Sequence, residues 1–160
     1  MKNLFLVVIF LIMSNYVYSQ EVVYVKGKNY EGYIFSKEYL ILGFPSEKDR
    51  YTPSPEDITQ AEKILKNSIN TDYVKDNQKQ YIKPPINNKT LKKYVRQYVG
   101  YLTEEGEIII HIYLNKGLEI SKDRLSEDII MVADGGINHW RININLSTKR
   151  LSAMNINGIS

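Results

Sequence analysis

From His139 to Leu146 the chain alternates residue by residue, Trp140, Ile142, Ile144 and Leu146 against His139, Arg141, Asn143 and Asn145. Successive side chains of an extended strand point to opposite faces, so this pattern describes a strand with one buried face and one wet face. A strand of that kind cannot stand alone, because its apolar row has to be covered by another element. The cover is also legible. Ser54-Pro55-Glu56-Asp57 supplies an N-cap hydroxyl, a proline at the first helical position and two acids in the first turn, each of which complements the free amides and positive end of a helix. Ile58, Ala61, Leu65 and Ile69 then recur on one side, with Ile64 at its flank, while Glu62, Lys63 and Lys66 lie away from it. This predicts an amphipathic helix over 54–70, lying across the row of Trp140, Ile142, Ile144 and Leu146.

The rest of the chain supplies strands and turns. Tyr94–Leu102 and Glu107–Leu114 flank Thr103-Glu104-Glu105-Gly106, where the glycine suits the left-handed position of a hairpin loop. Ile129–Ala133 reads as a short strand, Asp134-Gly135-Gly136 as a hairpin turn into the strand Ile137–Leu146, and Leu151–Asn157 as the last strand. Residues 94–158 therefore read as an antiparallel β-meander. Upstream, over 20–50, Val22–Val25, Tyr30–Phe35 and Tyr39–Phe44 are short runs of strand-forming residues separated by turns; their patterning leaves open whether they join the main sheet. Residues 71–93 are polar and contain Pro84-Pro85, which suggests a long loop with at most a short helix around Tyr73, either a plain surface connection or a functional segment. The fold class expected is α+β, one amphipathic helix packed on a curved antiparallel meander with short N-terminal strands. That order resembles the cystatin-like and nuclear-transport-factor-like half-barrels, a likeness of fold order that carries no activity with it.

Compartment is read from the first nineteen residues. Lys2 is followed by the apolar run Leu4–Met13 and then by Val17, Tyr18 and Ser19. This is the layout of a secretory signal peptide, with Val17 and Ser19 at the −3 and −1 positions and a mature chain starting at Gln20. The run is too short to cross a bilayer, which takes roughly 20 apolar residues. A periplasmic or secreted domain spanning 20–160 follows, with no membrane anchor after cleavage. The chain has no cysteine, so neither disulfides nor a lipidated N-terminus can support it, and the fold must rest on its core. Thiol chemistry, zinc–thiolate sites and iron–sulfur clusters are excluded with it.

A resemblance is consistent with that compartment. The Ser19-Gln20 junction, Tyr51-Thr52-Pro53-Ser54, Asp134-Gly135-Gly136 with Trp140, Asn145-Leu146 with Thr148, and terminal Asn157-Gly158 resemble small uncharacterised exported proteins of the Bacteroidota type. The resemblance covers about Arg50 to Ser160. It implies export from a Gram-negative cell and supplies no catalytic residues.

The catalytic inventory is thin. His111 and His139 are the only histidines, and an alternative pocket would need both on one face, working with Asp134, Glu119 or Asp128 as ligands or as an acid–base set. No metal-ligand spacing, phosphate loop or nucleophile elbow supports this, and a histidine among Arg and Asn on a strand is ordinarily a solvated side chain. Asp134-Gly135-Gly136 lacks the spaced oxygen ligands of a calcium loop. No catalytic residue, metal or cofactor is therefore expected. The stretch Lys75–Arg96 is mildly basic, with Lys89, Lys92 and Lys93 among tyrosines; an exported protein meets little nucleic acid, and a solvated loop accounts for the charge.

Tyrosine is the unusual component, with thirteen against four phenylalanines and one tryptophan. Its ring buries while its hydroxyl stays polar, which suits interfaces as well as half-buried strand positions. Two readings of function result. One is a non-enzymatic exported binding protein that engages a protein partner as an inhibitor or a toxin-immunity protein, with Tyr94, Tyr98, Arg141 and Asp134 as candidate contacts. The other is a half-barrel pocket protein that binds or hydrolyses a small ligand through His111 or His139.

Overall fold

Ser54 opens the helix as its sequence requires. In the computed structural model of the chain, which describes residues 22–41, 49–80, 85–117 and 120–158, helix α1 runs Pro55–Ser68. The Ser54 hydroxyl accepts from the Asp57 amide at 3.1 Å, and the Asp57 carboxylate accepts from the Ser54 amide at 2.9 Å. This reciprocal pair satisfies two of the free amides at the helix start. Tyr51 donates to the same carboxylate at 2.8 Å, fixing the entry of the chain into α1.

One mixed, open, curved sheet carries the rest of the fold. Its strands are β1 (Val22–Lys26), β2 (Glu31–Phe35), β3 (Arg50–Tyr51), β4 (Val95–Leu102), β5 (Ile108–Asn115), β6 (His139–Asn145) and β7 (Leu151–Ile156). Strands β4 to β7 form the expected antiparallel meander, with Gly106 at φ 79° in the β4–β5 turn. The N-terminal hairpin β1–β2 joins this sheet by a parallel pairing of β2 with the first half of β4, and β3 continues along the same edge at Gly100 and Tyr101. Gly32 sits opposite Arg96 at the parallel seam. A Cβ there would lie 2.4 Å from the Arg96 carbonyl oxygen, so only glycine permits so close an approach.

The main core forms on the helix side. Ile58, Ala61, Leu65 and Ile69 pack with Trp140, Ile142, Ile144 and Leu146, as the two periodicities require, and with Ile110, Ile112 and Leu114 of β5.

The other side of the sheet departs from the sequence reading. The outer row of β6 is half-wet, with Arg141 exposed and His139, Asn143 and Asn145 half-buried. Over β2, β4 and β5, however, a second apolar cluster is buried, made of Phe35, Ile41, Val99, Tyr113 and Ile129. Its cover includes the crossover between β5 and β6, where Ile129–Ala133 is not a strand and a short helix, α4 (Lys122–Glu127), precedes it. Gln97 explains why this crossover lies flat. Its amide donates to the carbonyls of Leu125 at 2.8 Å and Asp128 at 2.6 Å, and its oxygen accepts from the Ile130 amide at 2.9 Å. The crossover is thus tied by a side chain where a ladder was expected, and Asp134-Gly135-Gly136 leads into a 3₁₀ turn, Gly136–Asn138, without closing a hairpin.

Two other expectations shift. The stretch 71–93 holds α2 (Asp72–Asn77), around Tyr73 as expected, and also α3 (Asn88–Leu91). The Asn87 side chain caps α3, accepting from the amides of Lys89 at 2.8 Å and Thr90 at 3.1 Å. Tyr39–Ile41 is not strand, and the remainder of that run, like the signal segment 1–19, lies outside the described residues.

Candidate functional site

Four residues were expected to meet a partner, and the structure separates them. Tyr94 and Tyr98 are buried, so neither can serve as a surface contact. Both point to the side of β4 that α1 covers; strand alternation pairs them on one face without saying which face is inside. The Tyr94 hydroxyl donates to the Ile137 carbonyl at 2.6 Å, its ring meets Trp140 edge-on at 5.9 Å, and burial pushes its pKa up to about 12. Tyr98 donates to Glu62 Oε1 at 2.9 Å, and burial together with that carboxylate holds its pKa well above the ordinary tyrosine value. Arg141 and Asp134 are exposed, one in β6 and the other in the turn ahead of it.

The histidine pocket does not assemble either. Both rings lie on the face of the sheet away from α1, but His111 is opposite Asn143 and His139 opposite Asn115, four residues apart along β5. At roughly 3.3 Å per residue that is about 13 Å of strand. His111 Nδ1 lies 2.5 Å from the Asn143 side-chain oxygen, and Asn143 in turn donates to the Tyr101 hydroxyl at 2.7 Å. His139 Nδ1 lies 3.0 Å from the Asn115 side-chain oxygen. Burial, opposed by the bond to Asn143 and reinforced by Arg141, lowers the His111 pKa to about 4. Asp128 accepts from the Ile129 amide at 2.8 Å and so caps its own turn; Glu119 lies outside the described residues. Among the described residues no three His, Asp or Glu side chains converge as a metal site, and no helix is long and apolar enough to cross a membrane.

What the fold does bring together is a set of lysines. A cleft of about 540 Å³ opens between the β1–β2 turn, α1 and α3. Lys28 comes from the turn, Lys63 and Lys66 from one exposed turn of α1, and Lys89 and Lys92 from α3 and its C-terminal end. All five are exposed, and none has an ion-pair partner among the described residues.

The inner wall of the cleft is a buried charge network. Arg96, fully buried, donates from Nε to Glu62 Oε1 at 3.1 Å and from Nη2 to Oε2 at 3.4 Å, while its Nη1 donates to the Tyr94 carbonyl. Among the described residues Glu62 is the one acid lining the cleft, and its charge is taken up by Arg96 and by the Tyr98 hydroxyl. Tyr30 lies beside it, its hydroxyl 3.2 Å from that of Thr59. The cleft therefore presents five cations outward over an acid that is already neutralised, which makes its field positive.

Several of these residues are noted in the sequence, though not as a site, and Glu62, set there with Lys63 and Lys66 on the polar side of the helix, is buried in the structure. Lys89, Lys92 and Arg96 belong to the basic stretch noted in the sequence, and Lys63 and Lys66 to the polar side of the predicted helix. Their convergence with Lys28 was not legible, because it depends on the parallel β2–β4 pairing that brings the β1–β2 turn alongside α1.

No protein-family model matches the chain, and no curated protein or solved structure matches it significantly.

Proposed function

We propose that this chain is an exported, non-enzymatic binding protein that engages a protein partner, in the manner of an inhibitor or a toxin-immunity protein. The observation that carries the reading is the lysine-rimmed cleft. Like charges gathered on one concavity repel one another, and a partner of opposite charge relieves that repulsion while gaining speed and selectivity of encounter. The two histidines are bonded to asparagine side chains and set apart along β5, which favours binding over a joint acid–base role for them.

A second reading keeps the same cleft. Its volume falls within the roughly 300–1,000 Å³ of small-molecule sites, which favours a small anionic ligand as the alternative occupant.

Expression of the precursor in a Gram-negative host tests export and binding together. N-terminal sequencing of the envelope fraction is expected to read from Gln20. The mature chain, used as bait, is expected to form a complex of defined stoichiometry that survives a His111→Ala, His139→Ala double substitution. A hydrolytic activity present in the wild type and absent from the folded double variant would replace the binding reading with an enzymatic one.

A further inference from the structure

Resting on that binding reading, we infer that the partner enters the lysine-rimmed cleft with an extended acidic segment, carboxylates spaced around one apolar side chain. Five lysines from three separate parts of the chain present point charges on flexible stems, spread around an opening of about 540 Å³. A single phosphate is held best where donors converge on one spot, as in an arginine fork or a run of backbone amides, and a lysine serves it only as a point charge within such a cluster. Arg96, the arginine at this site, has its donors turned to Glu62 and to the Tyr94 carbonyl. Dispersed cations with no fork match dispersed carboxylates.

Between the charges the lining is partly apolar. The half-buried ring of Tyr30, with the edge of the buried Leu91 behind it, forms a small apolar seat, widened by the methylene stems of the lysines themselves. That seat accepts an aliphatic side chain. It is a poor platform for a nucleobase or a sugar, which needs open aromatic faces. Tyr30 is half-buried and packs on Gly27, where a Cβ would lie 2.3 Å from its ring, and its hydroxyl is engaged with Thr59. The site is also rigid: the inner wall is a buried ion pair bridging α1 and β4, and α3 is held by the Asn87 cap. A segment binding there meets a preformed surface, so less of its binding free energy is spent on ordering the site.

The test uses the mature full chain and a fluorescein-labelled hexapeptide of sequence Glu-Asp-Leu-Glu-Asp-Glu, read by fluorescence anisotropy. Saturable binding is expected, weakening about tenfold or more between 50 and 200 mM salt as exposed charge pairs are screened. The Lys63→Glu, Lys66→Glu, Lys89→Glu triple variant is expected to lose about a hundredfold in affinity, while the corresponding triple arginine variant stays within about threefold of wild type. The three positions are exposed, so unchanged thermal unfolding separates lost binding from lost folding. Absence of saturable binding, or equal binding by the glutamate triple variant, overturns the inference. So does displacement of the peptide by pyrophosphate, a heparin fragment or single-stranded DNA at lower concentrations than by unlabelled peptide. If the peptide fails while the mature chain, or its glutamate triple variant, still forms a stoichiometric partner complex, the acidic-segment inference falls and the binding reading stands. If no complex forms in either case, both fall.

Discussion

Arg96 Nε lies 3.1 Å from Glu62 Oε1, and this pair joins β4 to α1 with both side chains out of solvent. Taking two charges out of water is costly, and their attraction offsets that cost only when the remaining donors and acceptors are satisfied. Here they are: Tyr98 donates to the same carboxylate oxygen, and the Tyr94 carbonyl takes the Nη1 donor. Removing one partner leaves the other charged and buried, so Glu62→Ala is expected to cost about 3–5 kcal/mol. The paired replacement Glu62→Leu, Arg96→Met is expected to cost less than either single change. Urea unfolding of Glu62→Ala, of the Glu62→Leu and Arg96→Met singles and of the pair measures this, and singles costing under about 1 kcal/mol would mean that water reaches the pair through the cleft.

Trp140 is 2 % exposed and lies in the cluster with Ile58, Leu65 and Ile69. Its ring also takes the edge of Tyr94 at a centroid distance of 5.9 Å. Truncation to alanine removes a large aromatic from a packed interior and leaves a cavity, for an expected loss of about 3–5 kcal/mol. A denaturant midpoint that scarcely moves would contradict the packing of α1 on β6.

The α1–β6 contact was readable because both elements repeat, at 3.6 residues in one and 2 in the other, and each repeat points one way. Ser54 to Asp57 and Gly106 were readable for a related reason, since caps and turns are decided by a few adjacent residues. The features missed are non-local. Tyr94 and Tyr98 could be paired on one face from their spacing, yet which face α1 would cover depends on packing across the sheet. The crossover over the second face is held by Gln97, a residue type with no periodic signature, reaching 28 to 33 positions along the chain. The lysine cleft belongs with these. Its five residues come from segments that approach only when β2 pairs in parallel with β4.

Gln97 is the point at which that crossover can be released. Its side chain holds the Leu125 and Asp128 carbonyls and the Ile130 amide, and it is fully buried. Gln97→Ala leaves three backbone groups without their partner, each worth about 1–3 kcal/mol if it stays buried and much less if water reaches it. The expected outcome is local opening, seen as faster hydrogen exchange over Leu125–Ile130 with slower change in β5 and β6. Uniform acceleration across the sheet would show instead that the crossover and the meander unfold as one unit.

His111 makes stability depend on acidity, and the sign follows from its burial. The ordinary imidazole value is 6.5, while burial holds the folded side chain near 4, against the favourable bond from Asn143 and with a smaller push from Arg141 in the same direction. Above pH 6.5 the ring is neutral in both states and the folded chain keeps its full stability. Between 6.5 and 4 the unfolded chain binds a proton that the folded chain refuses, so stability falls as pH falls, by up to about 3 kcal/mol across the window. Below about 4 both states are protonated and this contribution levels off. His111→Gln removes the titrating group while keeping an amide for Asn143, and is expected to flatten the dependence over that window whatever it does to stability at pH 7. Urea midpoints at half-unit steps from pH 4 to 7 give the two slopes, and a variant slope as steep as the wild type's would assign the acid sensitivity to another group.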